Sequence, residues 1–510
     1  MKQLLLAACM LATICLRAQN NIFLDQSFWR SNPDLATIKA EIAKGNNPSE
    51  SNRMGFDPVV YAINTQASDD VIKFLLEQKG NDANKLTHDA RTYIFWAASK
   101  GNVEIVNYLI SKGAKVNVED THDMTPIRFA AAAGQNNAKL YDALIAAGSD
   151  VKQKNKDGAN LLLIGIAGDK DLILTNYLVS KGLSLKDVDA GGNTAFNYAA
   201  RSGNIPLMKT LLEKGVKYTD NAMIMAAQGG RGGANNIEVF RYLESLNIKP
   251  NAVSASGENA LHSIVRKPAQ AELIKYFLSK GVDVNKADNE GNTPFMNAAN
   301  ANRDTAVINL LLASVKNINQ GNKKNITALA MAVRNNSPAV VQLLIDKGAN
   351  VNVSDAEGNN LAYYLIQSYS NQSQGMGGPD GQGRPGGAAA NAGANPFDVK
   401  LKILQQNGLT VTTPQKDGST LYHLAVVKND ISLLSRIEKL GIDVNAKNNE
   451  GLTPLHRAAM IAKDDSLMKY LLSIGAQKDP KTEFKETAFD LAKENEYLTK
   501  TNVSVDFLKP

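Results

Sequence analysis

Cysteine is almost missing from this chain: its 510 residues include only Cys9 and Cys15, both close to the first position. Everything after them is free of thiols, which excludes disulfides, thiolate metal sites and a cysteine nucleophile at once. Stability must then come from packing. Long apolar runs are missing too: after Leu4 to Leu16 no segment approaches ~20 uninterrupted apolar residues, so no membrane-crossing helix is expected. Neither sign of charge dominates, with 56 Lys and Arg against 50 Asp and Glu and a formal net charge of +6. Without a concentrated basic patch or a nucleic-acid reading module, nucleic acid is not an expected partner.

The first residues read as a targeting segment. Met1 and Lys2 precede the apolar run, and Arg17-Ala18-Gln19 follows it with a small residue before a polar start. This layout predicts a signal peptide over 1–18, cleaved after Ala18, and places the remainder in the periplasm of a Gram-negative bacterium or outside the cell. Lipid attachment at Cys9 or Cys15 is the alternative. Cys9 leaves almost no apolar run ahead of it, and Ala12-Thr13-Ile14 fits poorly before Cys15. Loss of Lys2 and Arg17 lowers the formal charge to +4, and a thiol-free product suits an oxidising compartment.

What the chain has instead is repetition. The clearest unit, Gly451-Leu452-Thr453-Pro454-Leu455-His456-Arg457-Ala458-Ala459, has close relatives at Thr293 to Ala299 and Thr125 to Ala131. Units starting at Thr92, Thr194, Thr327 and Thr420 keep the threonine and most small residues, and degenerate copies begin near Asp57, Asn160, Asn221, Asn259, Asn360 and Thr487. Most of the thirteen starts lie 33 to 35 residues apart. The second half of the unit also recurs: Asn102 to Asn117 carries an apolar face at helical spacing, then Lys112-Gly113, then an extended Val116-Asn117.

The Thr-Pro-Leu-His-x-Ala core within this period resembles the ankyrin repeat, over roughly residues 55 to 500. The expected fold class is therefore all-α, an ankyrin-repeat solenoid of about 13 helix–turn–helix repeats with short β-hairpin fingers. Each part of the unit has a physical reason. Threonine can cap a helix, and proline at the first helical position has no N–H to lose. Paired alanines allow close helix approach, and glycine after the second helix can stop it in the left-handed conformation. One unit cannot bury its apolar face alone, so neighbours must stack. With helices ~9 Å apart, thirteen layers would form a curved rod about 120 Å long.

The period breaks twice. Asn221 follows Thr194 by 27 residues, and Gly229-Gly230-Arg231-Gly232-Gly233 lengthens a later turn, which predicts a joint near 215–236. Between Asn360 and Thr420 the interval is 60 residues, and 371–396 is mostly Gly, Ala, Asn, Gln and Pro. That composition predicts a disordered insertion, and it lacks the Gly-Lys-Ser/Thr ending of a phosphate-binding loop. The expected segments are thus a signal over 1–18, a capping repeat over 19–53, repeats over 54–220 and 221–370, the insertion, and C-terminal repeats with a cap over 397–510. The tail from Thr487 supplies one first helix, and the residues after it either fold back or fray.

Candidate chemistry is sparse. His262, His423 and His456 occupy the motif's histidine slot, where the resemblance implies hydrogen bonds tying neighbouring turns. His88 and His122, beside Asp89 and Asp123 on adjacent fingers, could approach a zinc ion, although exposed fingertip residues explain them more cheaply. Trp96, Phe129 and Tyr198 precede the paired alanines and are expected in the core. No catalytic, cofactor or metal residues are assigned, and the chain is expected to be a non-enzyme. The resemblance implies partner binding through the concave inner-helix positions after the alanines, here Lys100, Arg201, Arg266, Lys267, Arg334 and Lys428. It also implies binding through finger tips, here Asn289, Glu290, Lys323, Lys324, Asn448 and Asn449. A basic row would favour an acidic partner, although basic residues also suit helix C-termini for dipole reasons alone. The expected function is a monomeric scaffold for a protein or peptide partner. The alternative is a chaperone-like protector or regulator of envelope enzymes, for example in oxidative stress.

Overall fold

The computed structural model describes residues 21–230, 233–369 and 395–510. The expected signal segment and most of the expected insertion lie outside them. Helices dominate, in pairs such as Tyr93–Ser99 with Val103–Ser111 and Pro454–Ile461 with Ser466–Ser473. Helices this short are marginal alone in water, so their stability must come from neighbours. The first helix of a repeat is buried almost all round, as Tyr93 through Ala98 show. Such a helix needs apolar residues on every face because it packs on both sides.

Twelve of the thirteen expected starts are N-cap residues, from Asp57 and Thr92 through to Thr487. The exception is Asn221, which is the first helical residue; the cap is Asp220, whose side chain makes no capping bond. The shortened finger before it explains the shift, since Thr219 is already held by the Asn197 side chain at 2.6 Å. The repeats are numbered 1 to 13 below from Asp57 to Thr487.

Second helices bury one stripe, a pair of adjacent residues plus the residue one turn later: Val71, Ile72 and Leu75, or Leu433, Leu434 and Ile437. In repeats 1 to 12 the leading position is aliphatic in every second helix except that of repeat 10, where it is Lys400. Gly113 stops the repeat 2 helix at φ 82°, a backbone region where a Cβ is strained. The fingers carry isolated bridges at Gly321–Thr327 and Ser354–Asn360, and no longer strands form among the described residues. Fingers hang on their neighbours by backbone bonds, such as Lys323 N–H to the Glu290 carbonyl at 3.0 Å and Asn449 N–H to the Asp417 carbonyl at 2.8 Å. A Cβ on Gly291 would sit 2.6 Å from the Lys323 nitrogen, so this approach requires glycine there.

Two compact units result. One comprises the chain through Gly229 with Arg241–Leu246; the other comprises Gly230–Phe240 and Asn247–Pro510. Ahead of repeat 1, Trp29 is buried and donates its indole N–H to the Phe23 carbonyl at 2.8 Å, forming a cap with Phe28. After repeat 13 the chain folds back through Glu496–Lys500 and buries Leu508. The expected insertion ends earlier than its composition suggests, because Asn395 and Pro396 open the helix Pro396–Gln406. The Asn395 side chain accepts the Phe397 N–H at 2.9 Å, and Phe397 packs edge-on against Tyr369.

Candidate functional site

The three motif histidines hold the repeats together. His456 accepts the Thr453 backbone N–H on Nδ1 at 3.1 Å, which leaves the ring proton on Nε2 to donate to the Pro480 carbonyl at 3.0 Å. His423 joins Thr420 to Leu452, and His262 joins Asn259 to Asn292, in the same manner. Each ring caps its own helix and holds the next finger. In repeat 3 Arg128 fills this slot, 2% exposed, and reaches the Lys154 carbonyl of the next finger at 2.8 Å. In repeat 5 Asn197 fills it and reaches Thr219.

Burial holds the affinity of all three rings for a second proton below the ordinary histidine value of 6.5. The folded state therefore binds protons less well than the unfolded chain below that value. Their contribution is intact above pH 6.5 and is lost as pH falls beneath it. Thermal melting of the second unit should shift down between pH 6.5 and pH 4.5. The triple variant His262→Asn/His423→Asn/His456→Asn, which puts in each slot the side chain that Asn197 carries in repeat 5, should flatten that dependence. An unchanged pH profile would contradict the assignment.

His88 and His122 meet on one carboxylate. His88 Nδ1 lies 2.8 Å from the Met54 carbonyl and so carries a proton, while its Nε2 lies 3.3 Å from Asp89 Oδ2. His122 Nε2 approaches the same oxygen at 3.4 Å and Arg91 at 3.1 Å. Arg91 also bonds Asp120 at 2.7 Å and lies over the Phe129 and Trp96 rings. Asp89 thus clasps adjacent fingers, and among the described residues no group of three or more His, Cys, Asp and Glu is arranged to hold a metal ion. Trp96 and Phe129 are buried as expected, and Tyr198 is half-buried with its hydroxyl on Asp189.

The basic positions lie at the ends of first helices. Lys100 is half-buried; Arg201, Arg266 and Arg334 are exposed; Lys267 and Lys428 are half-buried. Several touch neighbouring carbonyls: Arg201 to Gly229 at 3.2 Å, Lys267 to Gly233 at 3.2 Å and Lys428 to Gln367 at 3.4 Å. Among the finger tips, Asn289, Glu290, Lys323, Lys324 and Asn449 are exposed. Asn448 is a correction: it is 7% exposed, and its side-chain oxygen accepts the Glu450 and Leu452 N–H groups, which shapes the turn from inside. Asn289 and Asn449 are partly engaged as well, on the Ala255 and Lys416 carbonyls of preceding fingers.

Reading by position missed several residues. Arg303, exposed before the second helix of repeat 8, opposes the charge of Lys400, whose ammonium is buried with the Val333 carbonyl at 2.8 Å. Burial, then Arg303, pulls the Lys400 pKa down to about 8; burial, then Arg334, lowers that of Lys428. Val427, Met460 and Ile461, 44% to 52% exposed, end the first helices of repeats 11 and 12. Matching first-helix slots between repeats marks Val427 and Met460, whereas no such register reaches Lys400 or Arg303. Grooves of about 480 and 430 Å³ lie between second helices, one lined by Asn309, Leu312 and Lys316 and the other by Leu76, Tyr108 and Lys112. The second also carries Glu77 and Asp82, and there the Tyr108 hydroxyl donates to Glu77 at 2.9 Å.

Stacked, mutually capped helix pairs with tethered fingers define a helix–turn–helix repeat array. Family models of ankyrin repeats match residues 30–120, 128–222, 223–320, 261–355, 295–373 and 422–472. The chain belongs to the ankyrin-repeat family, and repeats of this kind imply a protein–protein interaction scaffold. It is 21% identical over 446 residues to the human transient receptor potential cation channel subfamily A member 1, covering 86% of this chain and 32% of that protein. It is 24% identical over 280 residues to the Caenorhabditis elegans ankyrin repeat and KH domain-containing protein mask-1, covering 54% of this chain and 10% of that one. An ankyrin repeat protein of Rickettsia felis is 26% identical over 322 residues, covering 62% of this chain and 71% of its own. The chain therefore spans a third or less of the first two relatives. Among the described residues no helix is long and apolar enough to cross a membrane.

Proposed function

We propose that this chain is an exported, monomeric, non-catalytic scaffold that holds a protein or peptide partner on the ends of its first helices and on its finger tips. The observation that carries this reading is the contrast within each first helix. Ala328 to Ala330, Ala332 and Val333 are buried, while Arg334, next in sequence, is exposed. The helix faces are consumed by stacking, and what remains for a partner is a row of helix ends.

The test places a photo-crosslinking residue at Lys100 or Arg334, with Lys214 and Lys347, exposed at second-helix ends, as controls. In cells of the source organism, one stoichiometric adduct from the first-helix positions, recovered in the osmotic-shock fraction with a chain beginning at Gln19, is the expected result. Adducts of equal yield from the control positions, or a chain retained in the cytoplasm with its first residues intact, would overturn it.

A further inference from the structure

In repeats 1 to 12 every second helix places Val, Ile or Leu at the head of its buried stripe except the one in repeat 10, which places Lys400 there. A cation in a hydrocarbon slot is a local rule broken, and such breaks concentrate where function demands them. Lys400 does not stand alone. Its ammonium reaches the carbonyl of Val333, the residue before Arg334, and Lys428 reaches the carbonyl of Gln367 at the corresponding helix end one repeat later. Arg303 lies near enough to oppose the charge of Lys400, and Arg334 that of Lys428.

Four cations thus gather over repeats 8 to 11, and the neighbouring carboxylates are occupied. Asp304 caps the Ala306 N–H at 2.8 Å, and Asp430 caps Leu433 at 3.0 Å while accepting from Tyr369. Asp398 pairs with Arg436, and Asp355 accepts the Tyr364 hydroxyl at 2.6 Å. Among the described residues, neither Arg303 nor Arg334 has a carboxylate partner. From repeat 11, where Val427 adjoins Lys428, the same helix-end row turns apolar, with Val427 52%, Met460 49% and Ile461 44% exposed.

We infer that the helix-end row of repeats 8 to 12 is a two-part docking strip for an extended protein segment, acidic in one half and apolar in the other. The inference rests on the scaffold reading above and adds the chemistry of the partner. Stacked helices step ~8–10 Å per repeat, about three residues of extended chain, so the strip matches roughly twelve residues. The acidic half faces Arg303, Arg334 and Lys428; the apolar half covers Val427, Met460 and Ile461. An anionic bilayer offers charge and hydrocarbon too. Charge leads along this strip, however, with Arg303 and Arg334 on repeats 8 and 9, and apolar groups end it on repeat 12, the two overlapping at Val427 and Lys428 of repeat 11, an order that an extended chain can match position by position.

The test uses the whole chain and fluorescein-labelled twelve-residue peptides, six residues Glu-rich and six Leu- and Ile-rich in either order, against a scrambled peptide of the same composition. Anisotropy should show one block order binding at least about tenfold tighter than the scrambled peptide, with affinity falling as salt rises. Arg303→Glu/Arg334→Glu should weaken it at least about tenfold and remove the salt dependence, whereas Val427→Asp/Met460→Asp should weaken it similarly and keep the salt dependence. Arg303→Lys/Arg334→Lys, which keeps the charges, should bind like the wild type, and circular dichroism checks that each variant is folded. The inference fails if the scrambled peptide binds equally, if Arg303→Glu/Arg334→Glu binds like the wild type, or if phosphatidylglycerol vesicles are bound and the peptides are not. A cross-linked partner still captured by Arg303→Glu/Arg334→Glu would remove this strip and leave the scaffold reading standing; no adduct from any first-helix position would remove both.

Discussion

Replacing Asp57 by alanine should destabilise repeats 1 and 2 by about 3–5 kcal/mol, the cost of breaking a buried ion pair on one side. The carboxylate is fully buried and serves three partners. One oxygen caps the Val60 N–H at 3.0 Å; the other accepts the Tyr93 hydroxyl at 2.6 Å and meets the Lys85 ammonium at 2.8 Å. Burial and the Asp57 charge both push the Tyr93 phenol far above its ordinary value, so it remains a donor. Truncation uncaps a helix N–H and removes the only counter-charge that the ammonium has among the described residues, leaving Lys85 the Ser49 carbonyl and Asn81 side chain and leaving Tyr93 only Asn81. Asp57→Asn, which keeps the cap, should cost less, about 1–3 kcal/mol. Hydrogen exchange of residues 58–64 and 93–99 is the suitable measure, because a repeat array need not unfold in one step. Unchanged protection in Asp57→Ala would show that Ser49 and Asn81 suffice to hold Lys85 and Tyr93.

That network explains where sequence reading succeeds and where it stops. Thr453-Pro454 announces a helix start because capping needs only local chemistry, and Thr, Asn or Asp occupies the cap position at eleven other starts, although the Thr92 and Thr125 side chains make no capping bond. The His456 slot is legible because its near partner lies three residues back in each repeat that has the histidine, with the far one on the next finger. The link from Asp57 to Tyr93 spans 36 positions and joins residue types found at no other copy of those slots, so no repeated pattern marks it. Arg128 is hidden for the related reason that a guanidinium does the work of an imidazole there. Finger tips are legible as places but not as surfaces. Asn448 and Asn449 are neighbours in sequence, yet one turns into the finger and the other outward. Side-chain direction at a tight turn depends on backbone geometry that adjacent positions do not reveal.

The candidate strip is half legible. Arg334 and Lys428 follow from the small-residue slot of the motif, Ala332-Val333 and Ala425-Val426, a marker within the same helix. Lys400 lies within a 60-residue interval that removes the register by which its slot could be counted. Arg303 belongs to a turn that no motif covers. Val427 and Met460 occupy the slot of Arg334, so a search for basic residues passes over them although the position is the same.

Lys400→Met should have the opposite sign to Asp57→Ala, stabilising repeats 9 to 11 by about 2–3 kcal/mol at pH 7. The side chain is 4% exposed, and burial has moved its pKa from 10.5 to about 8. A folded value below the unfolded one means that the unfolded chain holds the proton more tightly. The penalty is complete below pH 8, is relieved as pH rises from about 8 toward 10.5, and is absent above that range. At about 1.36 kcal/mol per unit the gap is worth about 3 kcal/mol, from which the lost bond to the Val333 carbonyl subtracts about 1. Methionine has similar length and suits a slot that is otherwise Val, Ile or Leu. The gain measured by hydrogen exchange of residues 397–404 should therefore shrink as pH is raised from 7 to 10, while a variant that merely filled space would gain equally at both. A pH-independent gain, or a loss, would show that Lys400 is not held as a strained cation. If the gain is found together with weaker binding of acidic–apolar peptides, the one charged member of this buried stripe is retained for the potential it adds beneath Arg303 and Arg334, at the expense of stability.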